Sequence, residues 1–185
     1  MSLVTSRHHP IVNACRELAR GRGDALLLDG WHLLADALRY RIAITMVAYC
    51  GVPTPDDATL LDAVRRTPAR LLHVSDAVMQ ALSPVRSPTG VVTIAERPTV
   101  GPENLLTPAP ALVLATLGVQ DPGNVGAAIR SAAAAGATGV LVNVSGADPW
   151  GWKALRAAMG STFAIPVLRE ADLPARIDAD RKSVV

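Results

Sequence analysis

The chain has 185 residues, 50% hydrophobic and 18% charged, with a formal net charge of +2. That length holds one sizeable core or two small ones, and that composition excludes a disordered chain. Two cysteines, Cys15 and Cys50, exclude a scaffold of several disulfides. With no arginine-led apolar leader in view, a reducing, cytoplasmic setting is expected. The longest apolar runs, such as 111–117, fall well short of the roughly 20 residues a membrane helix needs. A mean hydropathy of +0.28 reflects alanine, valine and leucine spread along the chain, as in a soluble protein.

The first elements alternate. Pro10 suits a first helical turn, and Ile11 to Ala19 follows with apolar residues at mixed three and four spacing, which predicts a helix. Between residues 7 and 22 lie Arg7, Arg16, Arg20 and Arg22 against Glu17 alone. That run reads either as a patch attractive to phosphate or as a solvated helix face. Ala25 to Leu28 and Ile42 to Tyr49 read as strands, Trp31 to Tyr40 and Asp57 to Arg66 as helices. Leu71 to Val74 continues the series as a strand, Ser75 caps a helix running to about Leu82, and Gly90 to Ala95 is extended. Residues 1–97 thus form a small α/β domain.

Residues 98–110 carry Pro98, Pro102, Pro108 and Pro110 with Gly101 and no sustained periodicity, the signature of a stiff interdomain connection. Residues 111–185 form the second domain. Leu112 to Thr116 is a strand, Val125 to Ala135 a helix ended by Gly136, and Gly139 to Val144 a strand. Trp152 to Met159 is then a helix, Phe163 to Leu168 a strand and Leu173 to Asp180 a last helical piece. Strand, helix, strand, helix, strand implies a parallel sheet with crossovers, so the fold class is α/β throughout.

The turn from the first strand of this domain into its first helix reads Leu117-Gly118-Val119-Gln120-Asp121-Pro122-Gly123-Asn124-Val125-Gly126-Ala127-Ala128-Ile129-Arg130. Ligands of open parallel sheets bind at such carboxyl-end loops. Asp121-Pro122-Gly123 makes a tight turn, Asn124 is a good helix cap, and Gly126 allows a close approach. Arg130 sits on a helix otherwise lined with alanine, so its charge needs either solvent or an anionic partner. The glycines do not follow G-x-G-x-x-G, and no Lys-Ser/Thr pair completes a Walker loop, which weakens a dinucleotide or NTP reading.

Gly118 to Gly126 followed by Ile129-Arg130 closely resembles the first signature motif of SpoU-type (TrmH-like) RNA methyltransferases of the SPOUT superfamily. Leu155-Arg156-Ala157-Ala158-Met159-Gly160-Ser161-Thr162-Phe163, leading to Ile165-Pro166-Val167, resembles the second, with Ala158 where serine is common. Ser6 to Val12, Asp29-Gly30, Ser75 to Val78 and Ser87 to Val91 resemble the substrate-binding domain that precedes the catalytic one in many members.

The resemblance implies a trefoil-knot catalytic domain over residues 111–185 and an RNA-binding domain over 1–97. It further implies methyl transfer from S-adenosylmethionine to a ribose 2′-hydroxyl of ribosomal or transfer RNA. By similarity Arg130 and Asn124 are catalytic, Gly160 and Ser161 border the cofactor, and Arg7, Arg16, Arg20, Arg22 and Arg156 meet RNA. Arg156 also reads as an ordinary exposed helix arginine. Trp150 and Trp152, flanking Gly151, read as packing residues. A homodimer is implied, with neither metal nor membrane partner. The family's third motif, a Gly/Glu loop, a proline and a Ser-Leu-Asn-type helix, has no counterpart after Leu168. On that reading the knot is incomplete and S-adenosylmethionine binds poorly. Two other readings remain: a catalytically inert RNA-binding relative or truncated remnant, and an unrelated nucleotide-binding α/β enzyme.

Overall fold

The structure, a computed structural model, describes residues 3–170. The chain divides into two compact units, residues 1–98 and 99–185. The helical piece expected over Leu173 to Asp180 and the chain end from Asp178 lie outside the described residues.

In the first unit the elements run α1 (Pro10–Ala19), β1 (Leu26–Asp29), α2 (Trp31–Arg39), β2 (Ile44–Tyr49), α3 (Pro55–Arg65), β3 (Arg70–His73), α4 (Asp76–Leu82) and β4 (Val91–Ala95). The strand order is β1-β4-β2-β3. β4 is antiparallel to both β1 and β2, whereas β2 and β3 are parallel. Every residue of β1 and β4 is buried, as is all of β2 except Thr45. Continuous apolar runs such as Leu26-Leu27-Leu28 are what strands covered on both faces require. Helix starts follow their caps. Ser75 Oγ accepts from Val78 N, and Thr54 and Asp57 form a reciprocal capping box on α3. The segment before α1 is tied down by a parallel bridge, Val4 N donating to His73 O at 2.9 Å and Ser75 N to Val4 O at 2.9 Å.

The second unit runs α5 (Pro102–Leu105), β5 (Val113–Thr116), α6 (Pro122–Ala134), β6 (Gly139–Asn143), α7 (Trp152–Ala158), α8 (Ser161–Ala164) and β7 (Val167–Glu170). Its described strands form a parallel sheet in the order β5-β6-β7. Gly136, with φ 77°, follows the end of α6 as expected.

Two readings change. The proline-rich stretch 98–110 is more than a connection: it contains α5, whose Leu105 is 1% exposed and packs with Leu141, Val113 and Leu168. A side chain at Gly139 would collide with Leu105, so that glycine makes room for it. The strand expected over Phe163 to Leu168 begins only at Val167, because Ser161 to Ala164 make a helical turn after Gly160. Phe163 N donates to Gly160 O at 2.9 Å, and the Phe163 ring packs on Trp150, centroids 6.5 Å apart. Trp150 is 6% exposed, the packing role expected of it.

Candidate active site at the carboxyl end of the parallel sheet

β5 opens into the loop 117–121, where Gly118 takes φ 65°, a conformation that suits glycine. Asp121, not Asn124, caps α6: its Oδ1 accepts from Asn124 N at 2.8 Å. Asn124 therefore stands inside the first turn, exposed. Pro122 explains the difference, since a proline is pre-organised for the first helical position and puts the cap on the residue before it. Gly123 is small for the same reason, because a Cβ there would lie 2.9 Å from Asp121 Oδ1.

The loop after β6 is stitched to the loop after β5. Ala147 N donates to Val119 O at 2.8 Å, and Gln120 Nε2 donates to Ser145 O at 2.6 Å. Asn143, 7% exposed, holds the second loop from below: its Oδ1 accepts from Ser145 N at 2.9 Å and from Ser145 Oγ. Arg169 Nη2 donates to Val144 O at 3.2 Å, and its Nη1 lies 3.9 Å from Asp148 Oδ2. With the backbone so engaged, two apolar side chains face solvent, Leu117 at 73% exposure and Val144 at 44%. Exposed apolar side chains beside a fixed polar frame are a feature of ligand sites. Asn143, Ser145 and Arg169 were not among the residues singled out from sequence. A buried asparagine ending an apolar strand was the available signal.

Gly126 sets the spacing of the two helices. A Cβ there would run into Ala154 O and come within 2.6 Å of Ala157 Cβ and 2.8 Å of Ala158 N, so α6 and α7 touch backbone to backbone. One turn further along α6, Arg130 is exposed and its Nη1 donates to the Met159 sulfur at 3.2 Å. Among the described residues no carboxylate lies within ion-pair distance of it. Arg156 is exposed in the last turn of α7. Gly160 is buried with φ 79°, Ser161 opens α8 half-buried, and the adjacent Thr162 Oγ1 is buried without a hydrogen-bond partner among the described residues. The structure thus links Arg130 to the stretch holding Gly160 and Ser161, through Met159.

In the first unit the arginine run is not uniform. Arg20 Nη1 and Arg22 Nη1 both donate to the Glu17 carboxylate, at 2.8 and 2.9 Å. The Arg22 bond, with Arg20 behind it, holds the Glu17 carboxyl below its ordinary pKa. Arg7 Nε donates to Ala77 O at 3.2 Å, which fixes it against α4, and Arg16 is exposed on α1. Among the described residues no helix is long and apolar enough to cross a membrane, and no cluster of three His, Cys, Asp or Glu side chains suits a metal ion.

The sequence profile of the SpoU rRNA Methylase family matches residues 111–183. The chain is 32% identical over 176 residues to the mitochondrial rRNA methyltransferase 3B of Danio rerio, covering 90% of this chain and 39% of that protein. It is 30% identical to the 23S rRNA (guanosine(2553)-2′-O)-methyltransferase RlmP of Bacillus subtilis, covering 86% of this chain and 59% of that one. It therefore spans well under two thirds of these relatives. The AdoMet-bound rRNA methyltransferase from Sinorhizobium meliloti superposes with a TM-score of 0.83 at 30% identity, covering 97% of this chain and 68% of that one. With the motif loop, the parallel sheet and these relatives in agreement, the chain belongs to the SpoU family of RNA methyltransferases.

Proposed function

We propose that the chain methylates RNA with S-adenosylmethionine, at a ribose 2′-hydroxyl of ribosomal or transfer RNA. The observation that carries this is Arg130: an exposed guanidinium on α6, the helix that follows the motif loop, held by a thioether and with no carboxylate within ion-pair distance among the described residues. Such a cation suits the phosphate of an RNA.

The residues present offer part of a cofactor site. Leu117 and Val144 offer exposed apolar surface beside the motif loop. Gly160 and Ser161 would border S-adenosylmethionine, which would supply an electrophilic methyl group. The protein's task is then to bring the ribose oxygen into line and stabilise the charge that develops on it. Arg130 grips RNA phosphate and offsets that charge. It is no general base, since a guanidinium does not deprotonate in proteins. Asn124 organises the loop from the first turn of α6, and Arg156 adds a phosphate contact.

Arg7, Arg16, Arg20 and Arg22 serve RNA binding in the first unit. There phosphate competes with Glu17 for Arg20 and Arg22, and the contribution weakens steeply with salt. A cytoplasmic setting suits the free thiols Cys15 and Cys50, and a homodimer is the expected assembly, read out by light scattering.

The test is transfer of a labelled methyl group from S-adenosylmethionine to bulk ribosomal and transfer RNA, with the product mapped by resistance of the adjacent phosphodiester to alkali. Wild type labels one class. Arg130→Ala loses roughly a hundredfold or more, and Arg130→Lys, which keeps charge without the fork, recovers little. RNA binding with no calorimetric signal from S-adenosylmethionine would identify a binding module instead.

A further inference from the structure

Met159 combines three features that packing does not explain. Its backbone is left-handed, φ 49° and ψ 53°, at the C-cap of α7, where glycine or asparagine is the unstrained choice. Its side chain is 64% exposed although apolar. Its sulfur receives a hydrogen bond from Arg130 Nη1 at 3.2 Å.

We propose that Met159 is a positioning residue for Arg130, its left-handed cap aiming the thioether at the guanidinium. Sulfur suits this task. It is a weak, uncharged acceptor that orients one N–H of the five-donor fork and leaves the positive charge intact for an RNA oxygen. A carboxylate in its place would hold the arginine more firmly and cancel that charge. The reach is short because Gly126, one turn before Arg130, brings α6 against Ala154, Ala157 and Ala158 of α7. The left-handed cap, the exposed thioether and the glycine crossing then form one device, which sets the direction of a single cation. This inference rests on the reading of Arg130 in methyl transfer.

Met159→Gly and Met159→Leu in the full chain, with Arg130→Ala as reference, test it. Met159→Gly relieves the strained backbone and raises Tm. It nevertheless lowers kcat roughly tenfold to a hundredfold through misplacement of Arg130, with KM for S-adenosylmethionine unchanged. Met159→Leu keeps shape and strain but removes the acceptor, and lowers kcat to a similar extent at unchanged Tm. Wild-type kcat in both variants, alongside loss in Arg130→Ala, overturns the proposal and leaves the role of Arg130 standing. Unchanged transfer in Arg130→Ala removes that role and this inference with it. Side-chain 15N spectra read the contact without turnover: restricted rotation of the Arg130 guanidinium in wild type, averaged signals in Met159→Leu. Identical spectra overturn the proposal on their own.

Discussion

β1 and β5 are both short apolar strands, yet one is dry and the other is not. β1 is buried at all four positions, whereas β5 leaves Val113 and Leu114 half-buried and Ala115 exposed. The same contrast holds at the strand ends. The first unit closes the end of β1 with Asp29, 5% exposed and receiving a hydrogen bond from Ser83 Oγ at 2.7 Å. The second unit follows β5 with Leu117, 73% exposed. Burial carried to completion suits a scaffold, and apolar surface left open on a braced loop suits a ligand site.

Three perturbations probe that contrast. The largest loss is expected from Leu34→Ala in the first unit. This side chain is fully buried on α2, and its truncation should lower the unfolding free energy by about 2–5 kcal/mol in urea titrations. A loss near zero would mean that the first core is looser than its burial implies. Gly126→Ala comes next. The new methyl meets backbone atoms of α7, and overpacking of this kind costs about 1–3 kcal/mol. It should also part Arg130 from Met159, so methyl transfer should fall further than the folded fraction does.

The third effect is absent near neutral pH and confined to alkaline solution. Burial raises the Cys15 thiol from 9.0 to about 12. A pKa raised on folding means that its contribution is fully present below pH 9 and is lost as pH climbs from 9 towards 12. Cys15→Ala should flatten that part of the stability profile, and a thiol reagent at pH 8 should label Cys50 and spare Cys15 until the protein unfolds. Equal labelling of both would break the picture of a closed first core.

Most of the scaffold was legible because its signals are local. Pro10 and Ser75 mark helix starts, Gly136 marks a helix end, and the unbroken apolar runs mark strands covered on both faces. Pro122 pointed to Asp121 as the cap, yet Asn124 three residues on is an equally good capping residue by type and drew the assignment. α5 and α8 escaped because four residues are too few to display a helical period, and Phe163 in α8 favours a strand by propensity. At the site, local chemistry left Arg130 ambiguous, a charge on an alanine-lined helix, and family resemblance carried its assignment. Its partner could not be read, since Met159 lies 29 positions away in the chain and a left-handed methionine leaves no mark in sequence. Asn143 braces its loop by accepting from Ser145 N and Oγ, and Arg169 by donating to the Val144 carbonyl, and main-chain groups carry no residue code.

The position of β4 has a consequence for how the chain comes together. It is the last strand of the first sheet to be made and the one that separates β1 from β2. Until residues 91–95 arrive, β1 has no neighbour to pair with, and β2 and β3 form half a sheet with an open apolar flank. Assembly of the first unit is thus gated by its final strand, and the long closures that β4 makes, Leu26 to Ala95 among them, predict slow folding for a domain of this size. A chain interrupted before Val91 would hold nearly all the apolar residues of that core and have no way to join its two halves.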